Sequence, residues 1–234
     1  MAPRKGLLSG NALKLIAALS MVADHVGLMF FPGVPLLRLI GRLAFPIFAF
    51  MIAEGCRYTR NRLRYFLQIF LLAAACQLVY FLVDRSLYMS ILVTFSCSIG
   101  VIFALQQVKQ SEGSRKALWG LVFVSAVAAV YVLNLIFEID YGFWGCMVPV
   151  FAALFQGRGK PQHKLDIMPV HVAMTALGLL ILGLDLGGNQ LWALAAVALL
   201  LLYSGKRGKY SMKYFFYIFY PLHLALLQLI SWLL

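Results

Sequence analysis

An acid and an imidazole stand side by side in the first apolar stretch of the chain. Asp24 and His25 lie within residues 12–31, which consist largely of Leu, Ile, Ala, Met, Val and Phe. Ionisable side chains at membrane depth are costly and usually face a bundle interior or a water-filled cavity, where they serve function. If this stretch spans a bilayer, Asp24 and His25 are therefore the first candidates for chemistry.

Helix geometry separates these two neighbours. Adjacent residues on an α-helix point about 100° apart, so we predict that Asp24 and His25 each have a partner on another helix. Lys14 lies eleven positions before His25, which is almost three full turns, so Lys14 and His25 share one helix face. That arrangement suits a long ligand with its charged head near Lys14 and its reactive end near His25.

Two residues elsewhere in the chain fall in the same layer as His25. At about 1.5 Å per residue, His25 lies about 20 Å from the start of a predicted membrane span at residues 11–31, and His223 lies about 15 Å from the start of one at residues 213–233. Arg42, counted back from the end of a predicted span at residues 35–56, lies at about the same depth as His25. We expect Asp24 either to orient a catalytic residue or to pair with Arg42.

The composition is that of an integral membrane protein. The chain is 63% hydrophobic and 12% charged, with a mean hydropathy of +0.89, whereas soluble domains have about 45–50% apolar and about 25% charged residues. We therefore predict one transmembrane domain over residues 1–234. The four cysteines have no metal-ligand spacing, and no His–carboxylate pair at i, i+4 offers ligands on one face, so no metal site is expected.

The apolar runs predict an all-α polytopic protein with about nine transmembrane helices, since in lipid a helix pairs its backbone N–H and C=O groups within the same segment. The sixth and eighth runs are short. The predicted spans are residues 11–31, 35–56, 65–83, 87–108, 117–137, 141–156, 167–184, 189–203 and 213–233.

The basic residues are concentrated in alternate loops, which predicts the topology. Seventeen of the 20 Lys and Arg residues lie on one side, and only Arg38, Arg42 and Arg85 lie on the other. By the positive-inside rule the N-terminus is cytoplasmic, and nine spans place the C-terminus outside. The net charge of +12 is therefore explained by topology and contact with membrane lipids, and not by nucleic-acid binding.

Several sequence stretches resemble the TraX family, the family of the conjugative pilin N-acetylase. One departure is Ser90, where the family pattern has Asn. The matching stretches are 13–16, 24–27, 41–48, 54–55, 140–142, 203–208 and 219–223.

A wider resemblance concerns integral membrane acyltransferases that acetylate surface sugars, which carry a basic residue, ten intervening residues and a His on the first span. Lys14 and His25 have that spacing. The resemblance implies acetyl-CoA as acyl donor, His25 as general base and Lys14 as a donor contact. It also implies a multi-pass protein of the cell membrane, the bacterial inner membrane.

The cytoplasmic loops supply candidates for holding the donor. Arg57, Arg60, Lys206 and Arg207 are placed to bind the nucleotide phosphates, and Glu54 lies beside them, where it serves the donor region or pairs with Arg57. At the depth of His25, Arg42 or His223 would stabilise the oxyanion or position the acceptor. A peptide amine, a sugar or a small metabolite would each fit as acceptor.

Two other classes of function are compatible with the same residues. In a small proton-coupled transporter, Asp24, His25 and His223 would form a proton relay, although no inverted repeat is evident. In a scaffold subunit of an export or conjugation machine, the polar residues would only pin helix packing. The leading hypothesis is the acyltransferase.

Overall fold

The computed structural model describes residues 6–159, 161, 163–210 and 212–233, and within them the protein is helical with no β-strand. This confirms the predicted all-α membrane fold. Topology arguments that rest on Arg4, Lys5 and Lys160 lie outside the described residues. The helices are α1 (Gly10–Met29), α2 (Pro35–Gly41), α3 (Ala44–Tyr58), α4 (Arg62–Asp84), α5 (Ile91–Gln110), α6 (Gly113–Ile136), α7 (Gly142–Ala153), α8 (Met168–Leu186), a 3₁₀ helix (Gly188–Ala195), α9 (Ala196–Leu201) and α10 (Lys213–Leu233).

Seven helical segments among the described residues are long and apolar enough to cross a membrane, with α2 and α3 together forming one of them. Two shorter apolar segments, Gly142–Ala153 and Gly188–Leu201, coincide with the sixth and eighth predicted runs. The chain is a polytopic helical membrane protein. The number of crossings and the sides of the two termini stay predictions.

The chain divides into two compact units. The terminal unit comprises residues 1–51 and 187–234, and the central unit comprises residues 52–186. The prediction of a single domain over residues 1–234 stays a prediction. Each unit contains its own cluster of polar side chains, and each cluster is described separately below.

In the terminal unit, α1 and α2 form a tight helical hairpin. Ser9 caps α1, since its Oγ accepts a hydrogen bond from the Ala12 backbone N–H at 3.2 Å. Two glycines allow the helices to approach: a Cβ on Gly27 would lie 2.8 Å from the Cβ of Leu37, and one on Gly41 would collide with the Asp24 carboxyl group. The hairpin therefore brings α2 against the face of α1 that carries Asp24.

The second span is interrupted between α2 and α3, at Arg42 and Leu43. Pro46 has no backbone N–H, so it cannot donate the helical hydrogen bond to the carbonyl of Arg42. On the other side of the break, the Arg42 backbone N–H is shared between the carbonyls of Arg38 and Leu39, and the Leu43 N–H donates to the Ile40 carbonyl, so α2 ends in a tighter turn. The sequence thus places Arg42 at a break within a membrane-spanning segment.

In the central unit, α5 packs against α4, α6 and α7, and α7 packs against α8. The face of α5 in this core consists largely of small or aliphatic residues, and Ile99 and Ile102 are fully buried. Asn61 caps α4 by accepting a hydrogen bond from the Arg64 backbone N–H at 2.9 Å. The central unit is therefore a helix bundle organised around α5.

Candidate functional site

The terminal unit brings His25 of α1 and His223 of α10 into direct contact. Nδ1 of His25 lies 3.0 Å from Nε2 of His223, and the rings stack with centroids 5.1 Å apart and an interplanar angle of 27°. His223 is buried, with 7% of its surface exposed, and His25 is partly exposed. The two histidines predicted to share a layer are therefore neighbours.

The second nitrogen of His223 fixes the tautomers of the pair. Nδ1 of His223 lies 2.9 Å from the backbone carbonyl oxygen of Phe219, and because a carbonyl only accepts, Nδ1 carries the hydrogen. In a neutral His223, Nε2 is then an acceptor, and it receives a hydrogen bond from Nδ1–H of His25. A neutral His25 consequently has its lone pair on Nε2, which has no hydrogen-bond partner among the described residues.

Aromatic rings on α10 hold His223 in place. The Phe219 ring stacks on His223 with centroids 4.9 Å apart and an interplanar angle of 9°, and Tyr220 meets His223 edge-on at 5.8 Å. Phe215 stacks in turn on Phe219 at 5.7 Å. Such rings limit the rotation of the imidazole, so the Tyr220-Pro221-Leu222-His223 stretch presents His223 in a fixed orientation.

Asp24 pairs with a residue that the sequence analysis did not select. Nη1 of Arg38 donates to Oδ2 of Asp24 at 2.7 Å, and the two side chains are 29% and 20% exposed. The predicted pairing of Asp24 with Arg42 is thus replaced by one with Arg38, one turn earlier on α2. Arg38 and Arg42 are four residues apart, a spacing that places both on the face of α2 near Asp24 and that could have suggested Arg38.

Lys14 contacts the start of α10. Its ammonium group lies 5.7 Å from the centre of the Phe216 ring, a cation–π distance. Lys14 and His25 follow each other along α1, and their partners Phe216 and His223 follow in the same order along α10. The two helices therefore run parallel along this face.

The segment 203–210 folds over the start of α1. The backbone N–H groups of Gly10 and Asn11 donate to the carbonyls of Lys206 and Arg207 at 2.8 and 2.9 Å, and the Asn11 side-chain amide donates to the Tyr210 carbonyl at 2.6 Å. Because these contacts use the backbone, the exposed side chains of Lys206 and Arg207 are left at the same end of α1 as Lys14.

The remaining predicted donor residues lie in the central unit. Nη1 of Arg57 lies 2.8 Å from Oδ1 of Asp166, with side chains 6% and 0% exposed, and Nε2 of His171 lies 3.1 Å from the same oxygen. The other Asp166 oxygen accepts from the Gly157 backbone N–H at 2.6 Å. Arg60 is exposed.

The same buried network includes Glu54 and a lysine. Gln156 donates to Oε1 of Glu54 at 3.2 Å, and Lys109 donates to the carbonyls of Ala153 and Gln156 at 2.8 and 3.1 Å. Asp166, Lys109 and Gln156 were missed in the sequence analysis. The signal available for Asp166 is that it is an acid in a basic loop, between Lys164 and the apolar α8.

A further polar contact explains the Asp140-Tyr141-Gly142 stretch. The Tyr88 hydroxyl donates to Oδ1 of Asp140 at 2.6 Å, and the Thr94 hydroxyl donates to the Asp140 carbonyl at 2.7 Å. Partial burial and the negative charge of Asp140 raise the pKa of Tyr88. Both Tyr141 and Gly142 have a positive φ of about 60°, so this stretch is a constrained turn into α7.

Residues 9–231 match the sequence model of the family described as "TraX protein". The chain is 27% identical over 246 aligned positions to "Probable fimbrial assembly protein FimC, serogroup H1" of Dichelobacter nodosus, covering 94% of each chain. It is 45% identical over 40 residues to "Uncharacterized protein RP591" of Rickettsia prowazekii (strain Madrid E), covering 17% of this chain and 16% of that protein. No solved structure matches the chain.

Proposed function

The chain belongs to the TraX family, and from that premise we propose that it is an integral membrane acyltransferase of the bacterial inner membrane. It transfers an acetyl or short acyl group from cytoplasmic acetyl-CoA to an amine or hydroxyl acceptor reached at or from the outer side. The proposal is supported by the geometry of the terminal unit, where Asp24 and His25 lie on α1, His223 lies on α10 and Arg42 directly follows α2. Lys14, Lys206 and Arg207 lie at the start of α1.

The observation that carries the proposal is the His25–His223 contact at 3.0 Å. Because His223 Nδ1 is committed to the Phe219 carbonyl, the pair leaves the lone pair of a neutral His25 on Nε2. A partly exposed imidazole with a fixed tautomer is suited to general-base catalysis, which contributes about 10²–10⁴-fold to a rate. His223 acts through His25 and is a positioning residue.

The proposed reaction follows from this tautomer. Nε2 of His25 takes a proton from the acceptor as the acceptor nitrogen or oxygen attacks the thioester carbonyl carbon. The bond between the acyl carbon and the sulfur then breaks, and the CoA thiolate recovers the proton from His25. While His25 is positively charged, its Nδ1–H donates a charge-assisted hydrogen bond to His223, which stabilises the imidazolium.

The donor is proposed to bind along α1. Its phosphates would interact with Lys206 and Arg207 at the cytoplasmic end of α1. Lys14 would contact the donor farther along the helix, toward His25. Lys14 and His25 are separated by eleven residues, or about 16 Å along the helix, and the slender, neutral pantetheine arm is suited to cover that distance between helices.

Three residues predicted to bind the donor lie in the central unit and are not used in this proposal. A phosphate that approached Arg57 would have to displace Asp166 from a buried ion pair. Glu54 is likewise buried and hydrogen-bonded to Gln156. Donor binding by Glu54, Arg57 and Arg60 stays a prediction from the sequence.

The direct test is acetyl transfer by the purified protein in lipid nanodiscs. Labelled acetyl-CoA is incubated with candidate peptide, sugar and small-molecule acceptors, and the labelled products and free CoA are quantified by mass spectrometry. We expect His25→Ala to lower turnover by 10²–10⁴-fold with normal purification behaviour, whereas His163→Ala, at an exposed loop histidine, retains turnover. Full activity of His25→Ala would overturn the mechanism.

A second candidate is a scaffold subunit of a pilus-assembly machine, and the name of the Dichelobacter nodosus relative, a probable fimbrial assembly protein, favours it. In that case the wild-type protein neither binds nor consumes acetyl-CoA, and His25→Ala impairs pilus assembly only if it disrupts complexes with partner proteins. Co-purification of the wild type and His25→Ala with assembly partners separates the two candidates. The proton-coupled transporter stays a prediction from the sequence.

A further inference from the structure

Arg42 occupies an interrupted region of a membrane-spanning segment. It directly follows α2, and the break around it arises because Pro46 cannot donate to the Arg42 carbonyl. Non-helical backbone at membrane depth is tolerated where it is buried in protein or lines a cavity, and interrupted helices commonly form binding sites in membrane proteins. The local chain path therefore places Arg42 where a membrane protein can form a binding site.

The charges around Arg42 are not balanced. Two guanidinium groups, those of Arg38 and Arg42, act electrostatically on the Asp24 carboxylate. Arg38 holds Oδ2 of that carboxylate. Within the described part of the chain, Arg42 has no salt bridge, and its Nε and Oδ1 of Asp24 are both buried without a hydrogen-bond partner. Asp24, Arg38 and Arg42 together thus carry one excess positive charge.

An excess charge at membrane depth is costly unless an opposite charge accompanies it. A guanidinium group presents a planar fork of donors that matches a carboxylate or a phosphate. The cluster also adjoins the base: Asp24 precedes His25 in the chain, and the charge of Arg38 acts on the His25 ring. An anion bound to Arg42 would therefore lie in the region where the acceptor reacts.

The chemistry of the donor indicates which substrate carries this anion. Acetyl-CoA bears its negative charge on its nucleotide end, and the pantetheine arm and thioester are neutral. In the proposed donor orientation the phosphates lie near the cytoplasmic end of α1, about 16 Å along the helix from His25. The donor therefore brings no negative charge to the level of Arg42, and the acceptor is the substrate left to supply it.

We propose that Arg42 binds an anionic group, a carboxylate or a phosphate, on the acceptor, and that the Asp24–Arg38 pair holds α2 in position for that contact. This inference rests on the proposed acyltransferase function and names its acceptor class. Arg42 then discriminates between acceptors by charge, while His25 performs the proton transfer.

The test is a binding experiment that needs no turnover. Benzoate and its neutral isostere benzamide are titrated against the full-length protein in phosphatidylcholine nanodiscs, with binding measured by thermophoresis. We expect saturable benzoate binding that weakens as salt concentration rises, and at least tenfold weaker binding of benzamide. Arg42→Gln should weaken benzoate binding at least tenfold and Arg42→Lys by less, because lysine keeps the charge and loses the planar fork. Arg85→Gln, which removes an arginine from the central unit, is the matched control.

The outcomes separate this inference from the function on which it rests. His25→Ala should bind benzoate like the wild type, so loss of acyl transfer in that variant leaves the binding result intact. Equal binding of benzoate and benzamide, or wild-type benzoate affinity in both Arg42 variants, would overturn the inference. If phosphatidylglycerol in the nanodiscs competes with benzoate for Arg42, the anion is a lipid headgroup and the acceptor assignment is wrong.

Discussion

The two polar clusters of this protein differ in how completely their charges are paired. In the central unit, Arg57 and Asp166 are 6% and 0% exposed, and backbone groups and side chains of neighbouring helices surround them. In the terminal unit, Asp24 and Arg38 are 20% and 29% exposed, and Arg42 shares the Asp24 charge with Arg38 without forming a salt bridge among the described residues. The buried ion pair of the central unit holds helix ends together, whereas the terminal unit leaves charged side chains that a ligand can contact.

Burial alone does not identify a functional site in this protein. His171 is more buried than His25, yet its neighbour Asp166 is already bound to Arg57 and to the Gly157 backbone N–H. His25 is partly exposed, its Nδ1 is hydrogen-bonded to His223, and its Nε2 has no hydrogen-bond partner among the described residues. Incomplete pairing at a reachable position is the feature that favours chemistry.

The strongest test of this contrast is the removal of Asp166. In Asp166→Asn the buried Arg57 loses its counter-charge, and we expect a destabilisation of about 3–5 kcal/mol. Reversible unfolding of the reconstituted protein measures it, with Asp185→Asn, at an exposed acid of the same unit, as control. The double variant Arg57→Met/Asp166→Leu should recover most of the loss. Equal stability of Asp166→Asn and Asp185→Asn would contradict the structural role of the network.

A smaller loss of stability is expected from Gly41→Ala in the terminal unit. The added Cβ would collide with the Asp24 carboxyl group, and relief of such overpacking typically costs about 1–3 kcal/mol. The same unfolding assay applies, with Gly33→Ala as control because a Cβ on Gly33 meets no atom within 4 Å. If the two variants unfold alike, the close packing of α2 on Asp24 is wrong.

The His25–His223 contact should affect the rate more than the stability. His223→Ala removes the acceptor for Nδ1–H of His25, a hydrogen bond worth about 0.5–1.5 kcal/mol, so we expect turnover to fall about tenfold with an unchanged KM for acetyl-CoA. His223→Gln, which keeps an acceptor oxygen, should retain more activity.

Nitrogen-15 NMR of labelled histidine gives a readout for this pair that does not depend on activity. His25 should be the Nδ1–H tautomer in the wild type and a mixture of tautomers in His223→Ala. An unchanged His25 spectrum in His223→Ala would show that His223 does not set the tautomer.

The smallest effect is expected at the surface. Replacing Lys206 and Arg207 together by Gln should raise the KM for acetyl-CoA by about two- to fivefold at low salt, with an unchanged kcat, because exposed charge pairs contribute only about 0.2–1 kcal/mol each. The difference from wild type should shrink as salt concentration rises. Lys164→Gln, in an exposed loop of the central unit, is the control, and an equal effect there would point to general surface charge.

The sequence by itself determined the helical membrane fold, because an apolar run of about 20 residues in lipid must pair its own backbone hydrogen-bonding groups, which a helix does. It also placed His25 on the face of α1 that carries Lys14, since helical periodicity is a local property. The break at Arg42 was likewise readable from Pro46, whose missing N–H acts within one turn.

Only the tertiary structure decided which side chains meet. His25 and His223 are 198 positions apart, and no local periodicity relates them. Asp24 pairs with Arg38 and not Arg42 because Gly27 and Gly41 set how closely α2 packs against α1. Arg57, an exposed loop cation by its position in the sequence, is buried because Asp166 reaches it from a segment more than 100 residues away in the chain. Pairing of charges depends on distances between helices, which periodicity within one helix does not fix.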